Sequence, residues 1–164
     1  MSIPLKIGDK APSFTSTAVG GNYGSGTPLT LSKLRGKPVV LYFYPKDDTP
    51  GCTTQACGIR DVWKEIKSSE TALFGISIDP VHAHEKFIAK FDLPFPLLVD
   101  TDKEIVTAYG VWVEKSMYGK KYMGTERTTF VIDTKGKIAA LFPKVKPAEH
   151  ADLILTALRK LSDQ

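Results

Sequence analysis

At 164 residues the chain fits one domain, 1–164, with a core that needs neither metal nor disulfide support, and its two cysteines cannot build a secreted disulfide scaffold. A 42% hydrophobic, 24% charged composition is ordinary for a globular protein, and the net charge of +4 lies in short clusters such as Lys33/Arg35/Lys37 and Lys144/Lys146, without the basic helix face or interleaved aromatics that nucleic acid asks for. The opening Met-Ser-Ile-Pro-Leu-Lys has no signal-like apolar core and no later apolar run approaches membrane length, so a reducing, cytoplasmic setting with no membrane partner is expected.

Ile7 to Phe14 reads as an extended lead-in that Pro12 confines to an edge or non-strand path. Thr15 to Val19 is a candidate for local pairing. The glycines between Gly20 and Gly26 lack the spacing and following lysine of a phosphate loop, so this segment reads as a turn. Leu29, Leu31 and Leu34, with Ser32 as a cap candidate, predict a short helical turn before Gly36. Val39 to Tyr44 is too short for a helix and rich in β-formers, which makes it a buried strand that Pro45 stops. Pro45, Asp47, Asp48, Pro50 and Gly51 then form a tight loop. After Cys52 the residues Ala56, Ile59, Val62, Trp63 and Ile66 recur at helical spacing, predicting a helix that fades near Ser68 and Ser69 and carries Cys52 at its N-terminus.

Thr71 to Asp79 reads as a second buried strand, Val81 to Phe91 as a helix, Phe95 to Asp100 as a third strand and Ile105 to Tyr109 as a short helix that Gly110 ends. Alternating strands and helices imply an α/β order with parallel strands. Trp112 to Gly124 is polar and aromatic and is expected to be a loop or loose ribbon. Arg127 to Asp133 and Lys137 to Phe142 are antiparallel strands joined at Asp133-Thr134-Lys135-Gly136, and Pro147 is placed to open a last helix. The expected fold class is α/β, a mixed sheet flanked by helices.

A small cysteine near a core is most often packing. Cys52 stands instead at a helix start, where unpartnered N–H groups and their partial positive charge stabilise a thiolate, and a second cysteine, Cys57, follows it on the same helix. That setting makes Cys52 a candidate reactive thiol.

The residues also match a family. Pro45, Thr49 and Cys52 stand in a P-x-x-x-T-x-x-C spacing, and YFYPKDDTPGCTTQAC, residues 42–57, resembles the peroxiredoxins, in particular the Q-type or bacterioferritin comigratory subgroup. KIGDKAPSF, SKLRGKPVVLYFYP and YGKKYMGTERTTFVIDTKGKI extend the resemblance over most of the chain. The resemblance implies a thioredoxin-like fold and a thiol-dependent peroxidase acting on hydrogen peroxide and organic hydroperoxides, with no cofactor and no metal. By position it assigns Cys52 as the peroxidatic cysteine, Cys57 as the resolving cysteine, and Pro45, Thr49 and Arg127 as the shell around the peroxide. It further implies an intramolecular disulfide reduced by thioredoxin or a glutaredoxin-like dithiol protein, and a monomer, with a dimer as the alternative.

Peroxide reduction asks a thiolate to displace one oxygen from the other. Lowering a thiol pKa from about 8.5 to about 6 raises the thiolate fraction near neutral pH only about 30-fold, against enzymatic accelerations of about a million-fold or more. Positioning and charge stabilisation on the departing oxygen must therefore supply most of the rate. Thr49 reads as both helix cap and hydroxyl for the sulfur or peroxide, Arg127 as the cation for thiolate and leaving oxygen, and Pro45 as strand stop and water shield. Arg60 is the alternative cation but lies about 12 Å farther along the helix, and Gln55 is expected to be exposed. Residues five apart on an intact helix are separated by about 140° and about 7.5 Å of rise, beyond disulfide reach, so pairing Cys52 with Cys57 requires the start of the helix to unwind, which Gly58 eases. Phe43, Tyr44 and the aromatics from Trp112 to Tyr122 are expected to make an apolar mouth.

Two other readings compete. A protein thiol–disulfide oxidoreductase usually carries C-x-x-C, whereas this chain has C-x-x-x-x-C. A metal-binding module would draw on Cys52, Cys57, His82, His84 and His150, but these lack a recognised zinc pattern, and His82 and His84 are expected in solvent near a helix start.

Overall fold

The computed structural model describes residues 5–162. In chain order the elements are β1 (Thr15–Val19), β2 (Thr27–Thr30), β3 (Val39–Phe43), α1 (Pro50–Asp61), α2 (Trp63–Ser68), β4 (Ala72–Ser77), α3 (Val81–Phe91), β5 (Leu97–Val99), α4 (Glu104–Ala108), β6 (Trp112–Met117), β7 (Lys120–Thr125), β8 (Thr128–Ile132), β9 (Ile138–Phe142) and α5 (His150–Ser162). A seven-stranded sheet runs β2-β1-β5-β4-β3-β8-β9. Its centre is parallel, β3 with β4 and β4 with β5, while β1, β2, β8 and β9 join antiparallel. The result is the mixed α/β sheet flanked by helices that the alternating pattern predicts.

β3 is buried along its whole length, because a central strand is covered on both faces and so reads as a continuous apolar run. Its alternate residues divide the core. Val39, Leu41 and Phe43 pack with Phe74, Phe130 and the α4 residues Ile105 and Val106 on one face. Val40, Tyr42 and Tyr44 face the other way, under Cys52, Ala56 and Ile59 of α1, Phe87 of α3 and Ile154 and Leu158 of α5. Cys52 thus belongs to the second face. The Asp100 carboxylate accepts from the Ile105 and Val106 N–H groups, capping the start of α4, and its burial holds its pKa above the usual carboxylate value.

Several local expectations change. The helix after Cys52 breaks at Val62, whose N–H turns back to the Ile59 carbonyl, so α1 and α2 are separate. Trp112 to Gly124 is an ordered two-stranded hairpin, β6 with β7, turning at Tyr118 and Gly119, both at positive φ. Its exposed faces carry Lys, Glu, Met and Tyr, so apolar alternation is too weak to reveal it. Pro147 opens a 3-10 turn, Pro147–Glu149, and α5 begins one step later at His150.

Candidate active site

Cys52 sits in the first turn of α1, after Thr49 at the cap position and Pro50 and Gly51. Proline at the first helical position loses no bond there, because its missing N–H would have been unpaired. Cys52 is 1% exposed and Cys57 is half-buried, and both are free thiols. Thr49 does not cap with its side chain. Its hydroxyl donates to the Lys46 carbonyl at 2.8 Å, closing the loop on itself and leaving the hydroxyl oxygen as an acceptor. Pro45 follows β3 and is half-buried.

Arg127 arrives from the junction of β7 and β8, delivered beside α1 because β8 pairs with β3. Its Nη1 donates to Cys52 Sγ at 3.4 Å and to Gln55 Oε1. Room for the guanidinium depends on Gly51, where a Cβ would stand 2.9 Å from Arg127 Nη2. Arg60 lies elsewhere, donating to the Phe91 carbonyl and to Asp61. The open side of Arg127 is a cleft of ≈ 460 Å³ lined by Val113, Glu114, Lys115, Glu126, Lys144 and Val145. Burial, with the Arg127 charge second, holds the Lys115 ammonium below its usual pKa. Phe43 and Tyr44 do not form this mouth, since both are core residues and the Tyr44 hydroxyl donates to Asp47.

Gln55, expected to be exposed, is fully buried. Three residues after Cys52, it shares the inward face of the first turn, and that i, i+3 spacing is the one signal that points to it. Its Nε2 reaches His150 Nδ1 at 3.1 Å, and His150 Nε2 reaches Thr129 Oγ1 at 2.6 Å. Burial, then the Arg127 charge, pushes His150 down to about 3, so the ring is neutral. No sequence signal ties residue 150 to Cys52.

His84, expected in solvent, is also fully buried, while His82 is exposed. His84 Nδ1 faces Asp47 Oδ2 at 2.6 Å and Nε2 faces the Leu98 carbonyl at 2.8 Å. Both partners accept, so Nε2 carries a proton and Nδ1 shares a second one with the carboxylate. Asp47 N donates to Asp79 Oδ2 at 2.8 Å, and Asp48, at positive φ, pairs with Lys90 on the surface. The three histidines are thus placed apart, and among the described residues no group of three or more His, Cys, Asp or Glu stands close enough to hold a metal ion.

A thioredoxin-like mixed sheet that presents a buried helix-start thiol to an arginine defines a thiol-based redox enzyme. Residues 7–141 match the AhpC/TSA family. The protein bcp of Coxiella burnetii is 51% identical over 89% of this chain and 93% of its own length, and Peroxiredoxin Bcp of Bacillus subtilis is 41% identical over 98% and 99%. The Xanthomonas campestris Peroxiredoxin Q structure aligns with a TM-score of 0.82 and 38% identity over 90% of each chain. The Xylella fastidiosa PrxQ structure aligns with a TM-score of 0.88 and 31% identity over 98% and 99%. The chain belongs to the AhpC/TSA family and is a peroxiredoxin, an enzyme that reduces peroxide at the expense of a thiol reductant. Among the described residues, no helix is long and apolar enough to cross a membrane.

Proposed function

We propose that Cys52 is the peroxidatic thiol of this peroxidase, that Cys57 resolves it, and that Pro45, Thr49 and Arg127 shape the peroxide site. The observation that carries the reading is Arg127 Nη1 donating to the Cys52 sulfur at the start of α1. The Cys52 thiolate attacks the terminal oxygen of the hydroperoxide, the S–O bond forms as O–O breaks, and the departing alkoxide or hydroxide takes up a proton. Arg127 supplies charge-assisted donors to the leaving oxygen, Thr49 offers its acceptor oxygen to the peroxide O–H, and Pro45 keeps water off the sulfur.

The Cys57 thiol then displaces hydroxide from the Cys52 sulfenic acid, giving a disulfide and water. In the intact α1 the two cysteines are five residues apart, so the step requires the first turns to unwind. Thioredoxin or a glutaredoxin-like dithiol returns the disulfide to two thiols by exchange. A structure of the Xanthomonas campestris bacterioferritin comigratory protein, TM-score 0.82 and 37% identical over 90% of each chain, is described in terms of alkyl peroxide reduction, and Val113 and Val145 in the cleft support organic hydroperoxides alongside hydrogen peroxide here. The near-complete burial of Cys52 favours a small peroxide over a protein disulfide as the oxidant. A cytoplasmic monomer, without cofactor, metal, nucleic acid or membrane partner, completes the reading.

Mass spectrometry after one equivalent of peroxide tests it. Wild type loses two hydrogens, and Cys57→Ser traps a sulfenic acid at Cys52. Oxidation first at Cys57 reverses the assignment, and a Cys52 no faster than free cysteine overturns it.

A further inference from the structure

Arg127 is held from behind by a closed line of hydrogen bonds. Arginine has donors only, so the Gln55 atom facing it is the amide oxygen. The Gln55 NH₂ therefore points at His150 Nδ1, which must be an unprotonated acceptor, and the ring proton sits on Nε2, where it meets Thr129 Oγ1. Gln55, His150 and Thr129 are all 0% exposed, so bulk solvent does not reach them to replace a lost partner. The neutral ring, pushed down to about 3, fits this arrangement, and the Tyr42 ring, 5.2 Å from His150 centroid to centroid, packs edge-on against it. Any other proton placement sets donor against donor: a flipped Gln55 turns its NH₂ toward the guanidinium, and an Nδ1–H ring turns its proton toward the Gln55 NH₂.

We propose that His150 is a positioning residue for peroxide reduction: its Nε2–H tautomer fixes the amide of Gln55, and through that amide holds the Arg127 guanidinium on the Cys52 sulfur. The proposal rests on the reading of Cys52 as the peroxide-attacking thiol. His150 comes from α5 and touches neither the sulfur nor Arg127 through any hydrogen bond of its own, so it acts only through Gln55. Gln55 rides on α1, so the line breaks when the start of α1 unwinds. Attack on peroxide needs the line closed, and disulfide closure does not.

Nitrogen-15 NMR of the reduced full-length wild type reads the tautomer directly. An unprotonated Nδ1 and a protonated Nε2 on His150 are expected, and an Nδ1–H ring overturns the proposal whether or not any variant folds. Stopped-flow oxidation by hydrogen peroxide supplies the kinetic arm. His150→Leu, which strands the Gln55 NH₂, lowers the second-order rate about 10- to 100-fold. His150→Asn, whose amide oxygen stands in for Nδ1, returns it to within about threefold of wild type. His150→Leu as fast as wild type, or His150→Asn as slow as His150→Leu, overturns the proposal. Disulfide closure in His150→Leu stays as fast as in wild type or faster, and an equal loss in both steps assigns His150 to general stability instead. If wild-type Cys52 outpaces free cysteine by nothing, the peroxidase reading fails while the NMR result stands by itself.

Discussion

The chain on the two sides of Cys52 is held by different means. Before it, the loop from Pro45 to Thr49 is pinned from below and behind: Asp47 takes the Tyr44 hydroxyl, shares a proton with buried His84 and ties its backbone to Asp79, while Asp48 pairs with Lys90. After it, the first turns of α1 have apolar packing by Ala56 and a buried polar tether through Gln55, with Gly58 in mid-helix and the Arg60 bond to the Phe91 carbonyl only near the helix end. A buried network of charged groups is costly to break, whereas a glycine-bearing helix start gives way at lower cost. The difference teaches which side yields when Cys57 must reach Cys52. If Cys57 resolves Cys52 as proposed, the loop carrying Thr49 is expected to stay and the helix to open.

The clamp makes the largest prediction. His84→Leu leaves the buried Asp47 carboxyl group without its imidazole partner and is expected to cost about 3 to 5 kcal/mol in urea unfolding. A His84→Leu cost under about 1 kcal/mol would erase the contrast between the two sides.

The helix side responds to acid. His150 is held at about 3 in the folded protein against an ordinary 6.5, so below pH 6.5 the unfolded chain binds a proton that the folded chain does not. Its contribution is complete above pH 6.5 and is lost as pH falls toward 3, about 2 kcal/mol of it between pH 7 and pH 5. Unfolding curves at the two pH values measure the loss, and His150→Asn removes that share of it.

Gly51→Ala puts a methyl group 2.9 Å from Arg127 Nη2. Because the guanidinium is the far end of a flexible side chain it moves aside, so peroxide oxidation of Cys52 falls about tenfold while the melting temperature changes little. Stopped-flow traces and a thermal melt separate the two effects.

The smallest effect sharpens the comparison most. A Cβ at Gly58 meets only Ala151 at 3.7 Å, ordinary contact, so Gly58→Ala fits and stabilises α1 by about 0.5 to 1 kcal/mol. Peroxide oxidation should be unchanged and disulfide closure slower by about two- to fivefold, which rapid-quench alkylation follows. Faster closure would mean that α1 does not unwind.

Much of this site was legible before the fold. The β-rich run before Pro45, the helical spacing after Cys52 and the P-x-x-x-T-x-x-C motif are local patterns, and strand, loop and helix start are local consequences. Two errors have one cause. Gln55 and His84 read as exposed because both are polar, and polarity marks a residue as buried or exposed only once its partners are known. The hairpin β6–β7 was hidden because both its faces are largely wet.

The sequence by itself determined the place of Cys52 at a helix start and the order of strands and helices around it, since these follow from spacing, turn residues and short-range sterics. Only the tertiary structure decided what surrounds the sulfur. Arg127 lies 75 positions from Cys52, and His150 lies 95 from Gln55. Sheet pairing of β3 with β8 and the packing of α5 over the same face bring them together. Hydrogen bonds in a buried site are set by which groups remain without water, and that depends on the whole fold.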